Sequence, residues 1–339
     1  MVIFALTKTD EENIMYSKRD FTIHQMNHWG KQGLPFLFLI DFDTLAPMAI
    51  PLDKINPDEI LYDIQGKKNF SQAEPNEKEL EFNVVPVSKT RYCEAFQLVQ
   101  QHLRRGDSFL LNLTFPSHIE TNFSLKEIFY CSRAKYRIWF KDHFVSFSPE
   151  IFVQTEGRTI RSFPMKGTID ARLPNAMEKL LSNEKELAEH STIVDLIRND
   201  LSQVAKNVSL VNFRYIDHIK THKNEILQMS SEIQGQLPEN YREKLGDILF
   251  QMLPAGSISG APKKKTLEVI RQAEVYNRAY YTGIVGIFDG KNIDSAVLIR
   301  FIEQTEKGLV YKSGGGITAK SECEEEYNEL IEKIYVPIT

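Results

Sequence analysis

Apolar residues at Tyr92, Ala95, Phe96, Val99 and Leu103 recur every three or four positions, which predicts a helix over 90–105 with one face turned to a core. Gly106 and Asp107 stop it. Short apolar runs broken by polar turns come next. Residues 109–115 read as a strand, and 136–140 with 144–147 as a hairpin around the polar turn 141–143. Residues 152–155 and 159–163 make a second hairpin around Glu156-Gly157, and 281–288 with 295–301 a third around Asp289-Gly290. Helical spacing returns over 176–201, over 263–273 behind a Gly-Ala-Pro turn, and over 322–333, with a strand at 309–312 before the last. Near the amino terminus 35–40 is a strand candidate followed by the acidic turn residues 41–43. A polar, charged stretch at 66–79 reads as a linker. Hairpins with helices between them predict an α+β fold of antiparallel sheets wrapped by helices, and argue against a doubly wound parallel sheet. The expected organisation is a short amino-terminal part, 1–85, packed as extra strands on a larger domain, 86–337.

Composition narrows the class. The chain has 339 residues, 42% of them apolar and 26% charged, which is globular and not disordered. A net charge of −5 gives no electrostatic reason to expect nucleic acid or an anionic membrane as partner. Cys93, Cys131 and Cys323 sit singly, and an odd count is a poor disulfide framework, so a reducing compartment is the expectation. The first thirteen residues hold too short an apolar run for a signal peptide, and no stretch approaches a membrane span. The reading is a soluble, cytoplasmic protein.

Six stretches carry chemistry. Ser313 is followed by Gly314, Gly315 and Gly316, where backbone amides could approach an anion without a Cβ in the way; a flexible turn reads equally well. The acidic run from Ser321 to Glu329 opens a helix, with capping-box spacing between Ser321 and Glu324. Glu326 and Glu329 share a face there, either as ligands of a hard cation or as a solvated first turn suited to the helix dipole. Glu189 lies in the long helical stretch, ahead of Asp195, Arg198 and Asn199, which read as a buried ion pair near a helix end. Lys166 stands between a strand end and Gly167-Thr168; enclosed in a pocket it would lose its proton more easily and become a nucleophile. Glu150 follows Ser148-Pro149 at a strand end, where a desolvated carboxyl could serve as a general acid. The small residues around Ser257, before Lys263, build another loop that a ligand could approach.

The order of these motifs is more specific than any one of them. Read along the chain, Ser148-Pro149-Glu150, Pro164-Met165-Lys166-Gly167-Thr168, the stretch from Ile193 to Asp200, that from Ala255 to Lys263, Tyr281 with Gly283 and Gly286, Arg300, and the glycines with the acidic run resemble the chorismate-utilising enzymes. That family comprises the anthranilate synthase and aminodeoxychorismate synthase large subunits and the isochorismate synthases. The resemblance implies the anthranilate synthase component I-like fold and a dianionic chorismate with Mg²⁺ on its ring carboxylate. It assigns Glu189, Glu326 and Glu329 as metal ligands. It implies substrate binding by Tyr281, Arg300, the Gly314, Gly315 and Gly316 amides, Gly167, Thr168, Ser257 and Lys333, with Lys263 as a further cation.

Lys166 points within the family to aminodeoxychorismate synthase component I. In the resembling mechanism this lysine attacks C2 of chorismate while the C4 hydroxyl leaves, protonated by Glu150, and ammonia then adds at C4 and expels the lysine. Three departures stand out. Leu110 replaces the general-base lysine of the isochorismate synthases, Gln228 stands where most members have histidine, and the amino-terminal part is short, which speaks against tryptophan binding. No cysteine has the Gly-x-Cys-x-Gly surroundings of a glutaminase, so ammonia is expected from a separate glutamine amidotransferase subunit. The competing readings are anthranilate synthase component I and a non-catalytic chorismate-binding subunit.

Overall fold

The computed structural model describes residues 17–71, 78–220 and 225–338. The first sixteen residues, read above for a signal peptide, and residues 72–77 of the linker stretch lie outside the described residues. In chain order the elements are α1 (Lys18–Gln32), β1 (Phe36–Ile40), β2 (Met48–Pro51), β3 (Ile60–Ile64), β4 (Lys67–Lys68), β5 (Phe82–Val85), α2 (Lys89–Arg105), β6 (Leu110–Thr121) and α3 (Leu125–Cys131). Next come β7 (Tyr136–Phe140), β8 (Phe144–Ser148), β9 (Ile151–Glu156), β10 (Thr159–Ser162), β11 (Met165–Asp170), α4 (Ala176–Ser182), α5 (Glu184–Ser202), β12 (Lys206–Lys220) and β13 (Glu225–Gln236). The last part holds α6 (Leu245–Gln251), α7 (Gly256–Ser259), β14 (Gly260–Ala261), α8 (Lys263–Glu274), β15 (Ile284–Phe288), β16 (Ile293–Val297), β17 (Phe301–Thr305), β18 (Gly308–Ile317) and α9 (Cys323–Glu332).

The strands form two antiparallel sheets. One runs β11-β13-β10-β9-β16-β15-β1-β2, with β12 also on β13; the other runs β14-β6-β18-β17-β8-β7-β3-β4, with β5 also on β6. The α+β architecture of antiparallel sheets wrapped by helices is thus as the patterning predicts. Strand β1 shows how the layers are held. Its five apolar residues are all buried because both faces are covered. Phe36, Phe38 and Ile40 pack in the core under α1 and α6, whereas Leu37 and Leu39 face a second core shared with Ile60, Tyr136 and Phe144 of the other sheet. Amino-terminal strands therefore sit inside both sheets: β1 pairs with β15, and β3 with β7.

Several local expectations are corrected. The helix expected over 176–201 is two, α4 and α5, because Asn183 leaves helical geometry and caps α5 through its side chain. Gly314, Gly315 and Gly316 are not a turn; they continue β18 and pair with Thr114, Leu113 and Asn112 of β6. A side chain on Gly314 would run into the Leu113 carbonyl, so the close strand approach requires glycine there. Ser321 does not cap α9: its hydroxyl accepts from the Thr318 amide, and Glu322 takes the cap position without a side-chain bond. Asp195 and Arg198 form an ion pair that is exposed, not buried, because their face of α5 turns outward. The cysteine expectation also fails. Cys93 of α2 and Cys323 of α9 are joined in a disulfide, since the two helices pack side by side, and Cys131 is the free thiol.

Candidate active site

A cavity of about 140 Å³ gathers residues from both sheets and from the helices around them. It is lined by Leu110 and Asn112 of β6, Glu150 ahead of β9, Lys166 of β11, Glu189 of α5, Ser257 of α7, Gly315 and Gly316 of β18, and Lys333 at the end of α9. These residues span more than half of the chain, and the antiparallel pairing of β6 with β18 places Asn112 opposite Gly316.

Glu150 accepts a hydrogen bond from the Ser257 hydroxyl at 2.6 Å, and its own amide is held by Ser148 Oγ. Burial raises its pKa above the ordinary carboxylate range, opposed by the Ser257 bond and by the charges of Arg300 and Lys333. A carboxyl held toward its protonated form is what a general acid needs.

Lys166 lies in β11, where Gly167 follows in a left-handed conformation (φ 89°) and the register against β13 shifts. Its amine is 2.8 Å from Glu189, a carboxylate only 5% exposed. Burial pulls the amine's pKa down, but Glu189, Glu329 and Glu186 outweigh it and hold the pKa above its usual value. The expectation of a lowered lysine pKa is therefore corrected: the carboxylates of α5 and α9 keep Lys166 charged. Lys333 goes the other way. Burial lowers its pKa, with help from the like charges of Lys166 and Arg300, although Glu329 accepts from it at 2.5 Å.

The face of α9 that holds Glu326 and Glu329 packs on β18. Glu326 Oε2 and Glu329 Oε1 each lie 3.5 Å from the point a β-carbon of Gly315 would occupy, and Lys333 Nζ 3.6 Å from it. Glycine thus leaves a cradle there that any side chain would fill. Among the described residues no group of three or more His, Cys, Asp or Glu is gathered as metal ligands are. The lysine ammoniums of residues 166 and 333 balance Glu189 and Glu329 instead. The donor set is nonetheless all oxygen, with Glu189 and Glu326 both buried, and is of the kind that suits a hard cation.

The other sequence-predicted residues fall around this centre. Arg300 does not end a strand; it sits in a left-handed conformation (φ 53°) in the link between β16 and β17, where the chain crosses from one sheet to the other. It is within electrostatic reach of Glu150, and its buried Nε has no hydrogen-bond partner. Tyr281 is buried in the core between the sheets, its ring 5.8 Å from that of Phe301, and is not part of the cavity wall. Gly314 accepts from Lys333 Nζ through its carbonyl. Gly167 packs near Glu186 and Leu180, and Thr168 is exposed, so neither lines the cavity. Lys263 is not part of the wall either; Asp200 and the Met252 carbonyl hold it. Gln228 of β13 pairs with Thr168 of β11 on one side and with Asp217 of β12 on the other, and is not part of the cavity wall.

Two features were missed from sequence. Asn112 lines the cavity with a buried, unpaired Oδ1. Behind it, Arg278 and Glu274, both buried, form an ion pair at 2.5 Å that bonds the Asn112 carbonyl and the Thr114 amide and so fixes β6. A polar residue inside an apolar strand was the available signal for Asn112.

The family model for chorismate binding enzymes matches residues 48–339, and the chain belongs to that family. Over 316 residues it is 53% identical to an "uncharacterized PabA-like protein" of Haemophilus influenzae, covering 93% of this chain and 96% of that one. It is 33% identical to anthranilate synthase component 1 of Acetivibrio thermocellus (76% of this chain, 54% of that one). It is 31% identical to aminodeoxychorismate synthase component 1 of Escherichia coli (73% and 57%). Among solved structures, a putative 2,3-dihydroxybenzoate-specific isochorismate synthase of Bacillus anthracis shares the fold, with a TM-score of 0.67 at 20% identity over 94% of this chain and 87% of that one.

Proposed function

We propose that this chain is the chorismate-aminating component of an aminodeoxychorismate synthase, converting chorismate and ammonia to 4-amino-4-deoxychorismate in the route to 4-aminobenzoate and folate. The observation that carries the reading is the position of the Lys166 amine in one cavity with Glu150. An amine and a carboxyl held toward its protonated form are the pair needed to displace a hydroxyl, because hydroxide leaves poorly unless protonated. The Glu150 carboxyl would give its proton to the departing C4 hydroxyl, while Ser257 fixes its orientation. The Lys166 amine would form the bond to C2, which requires that it first lose the proton its neighbouring carboxylates hold in place. Arg300 and Lys333 would meet the carboxylates of the substrate; the guanidinium fork suits that group. Glu189, Glu326 and Glu329 would hold Mg²⁺, which when bound supplies positive charge to the ring carboxylate.

Ammonia would come from a separate glutamine amidotransferase subunit. Among the described residues no helix is long and apolar enough to cross a membrane. Sequence identity to the two synthase types is similar, so Lys166 is what favours amination at C4 over anthranilate formation. The test is the product made from chorismate, Mg²⁺ and ammonium, read by mass spectrometry. A product that keeps the enolpyruvyl group supports the reading. Anthranilate with pyruvate favours an anthranilate synthase, and no turnover favours a non-catalytic subunit.

A further inference from the structure

The stretches 193–200 and 255–263 each close on a charged residue that the proposed chemistry does not use. These are Asp200, in the last turn of α5, and Lys263, the first residue of α8. The fold brings them together. Asp200 is buried, and its Oδ1 accepts from the Lys263 amine at 2.7 Å. Its Oδ2 accepts from the Gly256 amide, at the start of α7, at 2.9 Å. A β-carbon on Gly256 would lie 2.9 Å from that oxygen, so glycine is what admits the carboxylate. The Lys263 amine also donates to the Met252 carbonyl, ahead of α7. One ion pair thus ties both ends of the loop that carries Ser257.

A carboxylate in this place does nothing for α5 itself. It opposes the helix dipole, which favours cations in a last turn. Burial raises its pKa, opposed by the Lys263 ammonium and the Gly256 amide. What it serves is α7, a helix of four residues with no side-chain cap at its amino terminus, too short to hold its own geometry. The far end of the loop is held by β6, where Gly260 and Ala261 pair with Leu111 and Leu110. Asp200 holds the near end, one residue ahead of Ser257, whose hydroxyl donates to Glu150 at 2.6 Å. A cavity of about 20 Å³ opens beside Glu150 and Asp200, so packing leaves the carboxyl room to turn and the Ser257 bond fixes it. Neither Asp200 nor Lys263 lines the cavity that holds Lys166. Resting on the amination reading above, we infer that the Asp200–Lys263 pair is a positioning device: it sets the start of α7 so that Ser257 holds the Glu150 carboxyl at the departing hydroxyl.

The test is a double-mutant cycle on the full chain, read by steady-state kinetics with chorismate, Mg²⁺ and ammonium and by thermal denaturation. Asp200→Leu keeps the bulk and removes both acceptors. In the wild-type background it should lower kcat by about tenfold while KM for chorismate stays within about twofold. In a Ser257→Ala background the same substitution should cost less than about twofold, because Asp200 acts through Ser257. Lys263→Met, at a partly exposed amine, reads the same pair if Asp200→Leu does not fold. An equal loss in the two backgrounds overturns the inference, since a merely structural role would give it. So does a loss confined to KM for chorismate, which would make Lys263 a substrate contact, and so does an unchanged kcat. A wild-type chain that releases anthranilate overturns the amination reading alone if the cycle holds on that rate, whereas a chain that turns over no chorismate overturns both.

Discussion

Lys166 and Lys333 are two amines in one cavity that their surroundings drive in opposite directions. Burial works against the charge of both; Glu189, Glu329 and Glu186 outweigh it at Lys166, whereas Glu329 does not outweigh it at Lys333, where Lys166 and Arg300 add like charges. Glu150 is the partner these amines need, and Glu150→Gln, which keeps the shape but not the proton, should lower turnover by about 10²–10⁴-fold with little change in melting temperature. His190, next to Glu189, is fully buried, and its Nε2 lies 2.6 Å from Ser231 Oγ. Burial, aided by the charge of Arg214, lowers its pKa to about 4. An unfolded histidine titrates near 6.5, so the unfolded chain takes up a proton first as the pH falls. This group therefore costs the fold up to about 3 kcal/mol between pH 6.5 and 4, and His190→Gln should flatten the fall in melting temperature over that window. Lys166, Glu150 and the carboxylates were legible in sequence because they belong to ordered motifs. The charge state of Lys166 was not, because it depends on which carboxylates of α5 and α9 the packing brings to its amine. Asn112 was missed because its one signal, a polar residue in an apolar strand, has no spacing that would place it in a cavity wall.

At the scale of elements, α9 carries the account. Its first residue, Cys323, is bonded to α2; its Tyr327 hydroxyl donates to the Val87 carbonyl; and Lys89 pairs with Glu324. These contacts hold Glu326 and Glu329 against β18. Removing either carboxylate charge, by Glu326→Gln or Glu329→Gln, should weaken Mg²⁺ binding measured by calorimetry in the presence of chorismate by tenfold or more, about one lost anionic ligand. Equal binding by both variants would displace the metal from this helix. Reduction of the disulfide should lower the stability of the chain by about 2–5 kcal/mol, seen as a lower melting temperature that Cys93→Ser reproduces. The helix was readable from its periodicity. The disulfide was not, because nothing in the spacing of three single cysteines shows that α2 and α9 lie side by side. The glycines read equally well as a flexible turn or as a stretch whose amides an anion could approach, because three in a row suit both. The close approach of β6 is what keeps them in a strand.

Across the whole molecule, the antiparallel sheets wrapped by helices follow from hairpin-spaced apolar runs, and that much was visible in the sequence. Which strands meet was not, since β1 pairs with β15 and β6 with β18, partners remote in the chain. The partner expectation belongs to this scale. The isolated chain should use ammonium and leave glutamine untouched, with glutamine use appearing only when an amidotransferase subunit is added. Glutamine-dependent turnover by the chain alone would contradict it. The central claim, that Lys166 reacts covalently with chorismate in the cavity it shares with Glu150, is tested most directly by intact mass. The chain is mixed with chorismate and Mg²⁺ without ammonia, quenched, and mapped by peptide. The account predicts an adduct on the peptide that contains Lys166, absent from Lys166→Ala, which folds but loses aminodeoxychorismate formation by orders of magnitude. A Lys166→Ala variant that still aminates chorismate at a near-normal rate, with no adduct in the wild type, would contradict it.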